Sequence, residues 1–269
     1  MNGVVENLGG GQFSDWLHGL PIEWMAVMFF GCSFLCAGIV YVIVEHKPGV
    51  WARFNAFSPS MLSPMDTLFA LLVVFTAAQV WSDTDRATAA VAQEASSLRA
   101  VLILASTLPT ESRDRIESLI HNHIQEVATK EWEAMAHQRA TLEIVPHCLA
   151  QALRLTLQYI PTSQGQGVAQ REMTAQLEAA LDARRQRILI SESSVGLVKW
   201  VCLFIEALCV LIAIALSHGG KRASSLIAMA LYATGAAACF LLIAAYDRPF
   251  AGQISIRPDP LLQVVPHRN

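Results

Sequence analysis

Met65–Leu108 reads MDTLFALLVVFTAAQVWSDTDRATAAVAQEASSLRAVLILASTL, a stretch without glycine or proline that is closed at both ends by Pro64 and Pro109. Its first part, Thr67–Ser82, carries no charge and lies between Asp66 and Asp83. Its second part is polar, with Val91, Ala95, Leu98 and Leu102 spaced to share one helix face. Nothing in it breaks a helix, so one rod of about 66 Å is expected, starting in an apolar medium and ending in water. The alternative is a hinge at Ser82-Asp83, a fair capping pair.

Three further apolar blocks surround this rod. Trp24–Val44 is uncharged between Glu23 and Glu45, Trp200–Leu216 contains the single charge Glu206, and Leu226–Ala245 contains none. A membrane helix needs roughly 17–25 apolar residues, which these three supply. Thr67–Ser82 covers only about 24 Å of a ~30 Å bilayer core, a shortness that neighbouring protein in an oligomer would excuse. Four spans are therefore expected. The composition agrees: 54% hydrophobic and 15% charged residues, against about 25% charged in soluble domains. Such a chain is not disordered, and a net charge of -3 argues against nucleic-acid binding. The block Trp24–Val44 is too long for a signal peptide, and residues 1–21 hold no Lys or Arg.

The insert between the second and third spans is read as helical throughout. Ile116, Ile120, Ile124 and Val127 repeat the helical spacing, as do Leu149, Leu153, Leu157 and Ile160. Pro109, with Thr110 as N-cap, Pro146 and the run Pro161–Gly167 punctuate it. Val168–Ser217 is broken only by Gly196, which leaves open whether the last insert helix runs into span three or hinges near 191–196. The expected organisation is an interfacial arm at 1–21, two spans at 22–82, a helical cytoplasmic domain at 83–195, two spans at 196–246 and a tail at 247–269. Basic residues near the span ends place the N-terminus, insert and C-terminus in the cytoplasm of a cell inner membrane. Arg86, Arg99, Arg184, Arg185, Arg187, Arg248 and Arg257 stand on the insert side, against Lys47, Arg53, Lys221 and Arg222 on the other.

Enzymatic and metal chemistry find no support. The cysteines show no zinc or disulfide spacing, and Cys32 and Cys36, on one helix face, read as small packing residues. His121-Asn122-His123 spells a nuclease-like triplet, but its histidines point to different helix faces and read as solvated positions. There is no phosphate-cradling glycine loop and no nucleophile elbow. Neither an enzyme nor a cofactor is expected.

Several segments, in order, resemble the bestrophin-like family of bacterial membrane proteins, a family of unknown function distantly likened to bestrophin anion channels. They are Phe69–Trp81, AVAQEASSLRAV around Glu94, Glu131-Trp132, Arg184–Ile188 (RRQRI) and Tyr246–Ile256 (YDRPFAGQISI). The turn Pro249-Phe250-Ala251-Gly252 is one residue longer than the bestrophin pattern, and nothing matches the acidic calcium clasp of the animal channels.

The resemblance implies a homo-oligomer, a pentamer, whose second span lines an anion pore and whose insert forms a cytoplasmic vestibule. On that span Leu68, Leu72, Thr76, Gln79 and Asp83 fall near one face, flanked by Phe69 and Phe75; the same Thr and Gln also suit interhelical bonding. Glu206, mid-span with no Lys or Arg at its depth, reads either as part of an ion path or as a neutral carboxyl bonded to a neighbouring helix. Arg184, Arg185 and Arg187 form a basic juxtamembrane cluster, facing lipid headgroups or pairing with Glu94, Glu126 or Glu131, or else funnelling anions. The expected partners are the lipid bilayer, further copies of the chain and inorganic ions. The alternative is a non-conducting scaffold or sensor whose insert binds a protein.

Overall fold

The computed structural model describes residues 16, 19–46, 62–217 and 222–264. Residues 1–15, 17 and 18 of the expected arm, and the topology markers Lys47, Arg53 and Lys221, lie outside the described residues. Every regular element described is helical. In chain order these are α1 (Ile22–His46), α2 (Leu62–Ala105), α3 (Thr110–Glu126), a π-helical turn (Val127–Glu131), α4 (Trp132–Ala136), α5 (His147–Gln158), α6 (Gln164–Ser191), α7 (Leu197–Ser217), α8 (Arg222–Tyr246) and α9 (Asp259–Leu262). Helices α1, α2, α7 and α8 are long and apolar enough to cross a membrane. The fold is thus the all-α, four-span architecture read from the sequence.

The expected rod is present. Helix α2 runs unbroken for 44 residues, and Pro64 falls in its first turn, where a missing N–H costs nothing. It ends where Ser106 and Thr107 turn their hydroxyls onto the carbonyls of Ile103 and Leu104, at 2.6 and 2.8 Å. The open question at Gly196 resolves as a break. Helix α6 stops at Ser191 and α7 starts at Leu197, while the Val195 N–H between them donates to Asp247 Oδ1 at 2.5 Å.

The chain divides into two compact units, Met1–Ser82 with Ser194–Asp247, and Asp83–Ser193 with Arg248–Asn269. In the first, α1 packs on α7 and α8, and α7 packs on α8. Aromatic rings fill its centre: Phe204 and Phe240 lie 4.8 Å apart, and Phe69 meets Phe240 edge-on at 6.3 Å. Phe69 is therefore a core residue rather than a flank of an open face. Cys32 and Cys36 are exposed on α1, so neither lies in the core of the single chain.

In the second unit α3 packs on α5 and α9, and α6 on α4 and α5. Ile116, Ile120, Ile124 and Val127 are all buried, and the next inward side chain is Trp132, five residues on. An α-helical step would carry Trp132 off that face; the π turn absorbs the extra residue and keeps it inside. Two expectations fail here. Thr110 does not cap α3, since Pro109 holds the cap position without a side-chain bond. Leu157 and Ile160 are exposed, because α5 turns Leu149, Ala152 and Thr156 inward and Ile160 lies past its last turn. The tail folds onto the same core through Phe250, Leu261 and Val264. Gly252 takes φ 82°, a conformation that favours glycine, in the turn that brings the tail back.

Candidate functional site

Glu94 occupies the inward stripe of α2, seven residues after the buried Ala87 and four before the buried Leu98. Its carboxylate meets Arg187 of α6: Nε donates to Oε2 at 2.9 Å and Nη2 to Oε1 at 3.4 Å. The second face of the guanidinium is held by Glu131, at the end of the π turn, whose Oε1 accepts from Nη2 at 2.7 Å. Nη1 lies 3.2 Å from Met135 Sδ. Both side chains of the Glu94–Arg187 pair are 0% exposed. One turn earlier on α6, Arg184 donates from Nε to Glu131 Oε2 at 2.8 Å and reaches the Ile144 carbonyl at 3.4 Å.

Two further groups complete the cluster. His123 of α3, itself buried, lies with Nε2 3.2 Å from Glu94 Oε1. Facing an ionised carboxylate, that nitrogen must carry the proton and donate. The Trp132 ring lies under the guanidinium of Arg187, 5.1 Å from carbon to centroid. Trp132 Nε1 donates to the Ile256 carbonyl at 3.0 Å, and its ring meets Phe250 edge-on at 5.5 Å. The tail is thus pinned to the residue that the buried arginine covers.

Burial by itself would raise the Glu94 carboxyl, but Arg187 and the bond from His123 outweigh it and hold the group below its ordinary value. Burial would lower Arg187, and the two carboxylates reverse that, raising it. Among Glu94, Glu131, Arg184 and Arg187, two carboxylates balance two guanidiniums. Such a cluster contributes little net stability over an apolar core, yet losing one member strands a charge and costs about 3–5 kcal/mol.

The structure separates the three arginines expected to form one cluster. Arg184 and Arg187 turn inward onto Glu131 and Glu94, two of the acids considered as partners, while Arg185 is exposed. Arg187, fully buried, is not a headgroup contact. His121 is exposed as expected, but His123 is not a solvated position. Its place three residues after Ile120 and four before Val127 puts it on the apolar face, which was the overlooked signal.

On the membrane part of α2 the five residues grouped on one face, and Phe75 that flanks it, separate. Phe75 is 64% exposed and Leu68 is exposed too, Leu72 and Gln79 are half-buried, and Thr76 and Asp83 are buried at 3% and 7%. A seven-residue rhythm explains this: Phe69, Thr76, Val80 and Asp83 follow in steps of three, four and seven on the inward stripe. Thr76 bonds the Leu72 carbonyl at 2.8 Å, Asp83 pairs with Arg86, and Gln79 accepts from Lys199 of α7. The outward face carries Leu68, Leu71, Phe75, Ala78 and Ser82 instead. Glu206 is half-buried, beside the inward residues Leu203, Ala207 and Val210 of α7. Among the described residues no three His, Cys, Asp or Glu side chains converge as a metal site.

Four of the five segments that carried the family resemblance meet in this buried cluster, through Glu94, Glu131-Trp132, Arg187, Phe250 and Ile256; Phe69–Trp81 does not. No curated protein matches the chain in sequence. Two crystal structures of a bacterial Bestrophin homolog from Klebsiella pneumoniae, each with a different point mutation, share its fold. One has a TM-score of 0.65 at 11% identity, covering 89% of this chain and 96% of that one. The other has a TM-score of 0.67 at 11% identity, covering 90% and 97%. The sequence pattern of the Bestrophin-like domain matches residues 27–261, and the chain belongs to that family.

Proposed function

We propose that the protein is a homo-oligomeric ion channel, a pentamer, in which the outward face of α2 lines a shared path and the helical insert forms a cytoplasmic vestibule. The supporting observation is the division of α2 into a buried stripe and an exposed stripe. Leu68, Leu71 and Phe75 supply apolar rings that gate by dewetting; Ala78 and Ser82 widen the path toward the polar end of the helix. Asp83 and Thr76 are left out of the path because the chain's own core covers them. The conducted ion is taken to be an anion, as the resemblance to the bestrophin anion channels implies. Glu206, half-buried on α7, serves as a structural carboxyl rather than a pore ring.

A non-conducting scaffold is the second reading, favoured by the apolar side chains that the insert leaves in water. Ile160 is 82% exposed, and Ile144 and Leu157 are exposed as well. Particle mass in detergent and chloride efflux from liposomes separate the two. A ring of five with efflux supports the channel, whereas a monomer or compact dimer without efflux supports the scaffold.

A further inference from the structure

The histidine of the buried cluster has no part in the proposed conduction, yet it touches the carboxylate on which the cluster is built. Glu94 Oε1 is shared. It accepts from His123 Nε2 at 3.2 Å and from Arg187 Nη2 at 3.4 Å, while Oε2 is held by Arg187 Nε at 2.9 Å. The three helices that meet there, α2, α3 and α6, each give one side chain, and all three are buried. Histidine is the side chain that ordinarily changes charge between about pH 5 and 8.

We propose that His123 is a proton sensor for the helical insert: its protonation unbalances the Glu94–Arg187–Glu131–Arg184 cluster and loosens the junction of α2, α3 and α6. The charge count carries the argument. With a neutral ring, two carboxylates and two guanidiniums cancel. A proton on the second ring nitrogen leaves one positive charge in excess, beside Glu94 and Arg187 side chains that water and counter-ions do not reach. The imidazolium also competes with Arg187 for the shared oxygen, and the longer of the two bonds belongs to the arginine.

The surrounding groups do not supply the missing negative charge. On its own helix the nearest ionisable neighbours, His121 and Glu126, are exposed. From α5 come Cys148, whose thiol is raised by burial and by Glu126, and the exposed His147 and Arg154. From α9 comes the exposed Asp259. From α2 and α6 come Glu94 and Arg187 themselves, and Glu131 is already bridged by both arginines.

The test is the thermal unfolding midpoint of the full chain in detergent between pH 7.5 and 5.5, for the wild type and for His123→Gln. The glutamine amide donates to Glu94 but never takes a charge. The wild-type midpoint is expected to fall by about 3 °C or more across this interval, and that of His123→Gln to stay level. Equal falls in the two proteins, or no fall in the wild type, would overturn the proposal. Should glutamine prevent folding, His123→Asn replaces it in the same comparison. In liposomes that conduct, chloride efflux should lose its pH dependence in the same variant. Absence of efflux at every pH counts against the channel alone and leaves the midpoint comparison standing.

Discussion

Glu94 and Arg187 stand 93 residues apart in the chain and 2.9 Å apart in the fold, with neither side chain reaching solvent. The pair joins α2 to α6, and Trp132, Met135, Glu131 and His123 enclose it. Its physical role is specificity more than net stability. Ala87 and Val101, one heptad to either side of Glu94, offer Arg187 no counter-charge, so a slipped register strands the arginine.

Glu94→Gln and Arg187→Met should each lower stability by about 3–5 kcal/mol, because each leaves a buried charge without its partner. Arg187→Lys should rescue little, since one ammonium cannot hold Glu94 and Glu131 together in the forked geometry. The double replacement Glu94→Leu with Arg187→Met should recover most of the loss. Denaturant titration in detergent, followed by circular dichroism, reads all four; additive losses in the double variant would contradict the pairing.

Acid sensitivity follows from the same carboxylate. Glu94 is held below its ordinary value, so its contribution is complete above the unfolded-state value of about 4.3 and is lost as pH falls through the folded one. The midpoint of the wild type should therefore drop steeply below about pH 4.3, and that of Glu94→Gln should drop less. This window lies below the one used for His123.

Trp132→Phe keeps a ring against Phe250 but removes the N–H bonded to Ile256 and weakens the contact with Arg187. A loss of about 1–2 kcal/mol is expected, with the tail released first. Limited chymotrypsin digestion should then cut after Phe250, which is buried in the wild type, faster than in the wild type. Unchanged cleavage would mean that Phe250, Leu261 and Val264 hold the tail without the tryptophan.

Gly252→Ala should cost about 1 kcal/mol, because φ 82° places a Cβ in a strained conformation. A midpoint equal to that of the wild type would show that the turn relaxes at no cost.

The four spans and the long helix were legible because length, absence of charge and absence of Gly and Pro act locally along the chain. The face of α2 was not. Leu68, Leu72 and Thr76 share an i, i+4 row, but that row drifts around the helix, and only the partners packed against α2 decide where it turns inward. His123 was misplaced for a related reason, and the depth at which Arg187 is buried was not legible either, although Glu94 and Glu131 were among its expected partners. Arginine and histidine normally seek water, and the carboxylates that allow their burial lie 93 and 29 residues away. The π turn had one visible trace, the five-residue step from Val127 to Trp132, which a strict helical period passes over.

The central claim is that the outward face of α2 lines an ion path, and chloride efflux from proteoliposomes tests it most directly. Wild-type protein should release chloride. Phe75→Ala, on the exposed face, should raise the rate several-fold by widening an apolar ring, while Thr76→Ser, one residue on but buried, should leave it within twofold. No efflux from the wild type, or a larger effect at Thr76 than at Phe75, would contradict the account.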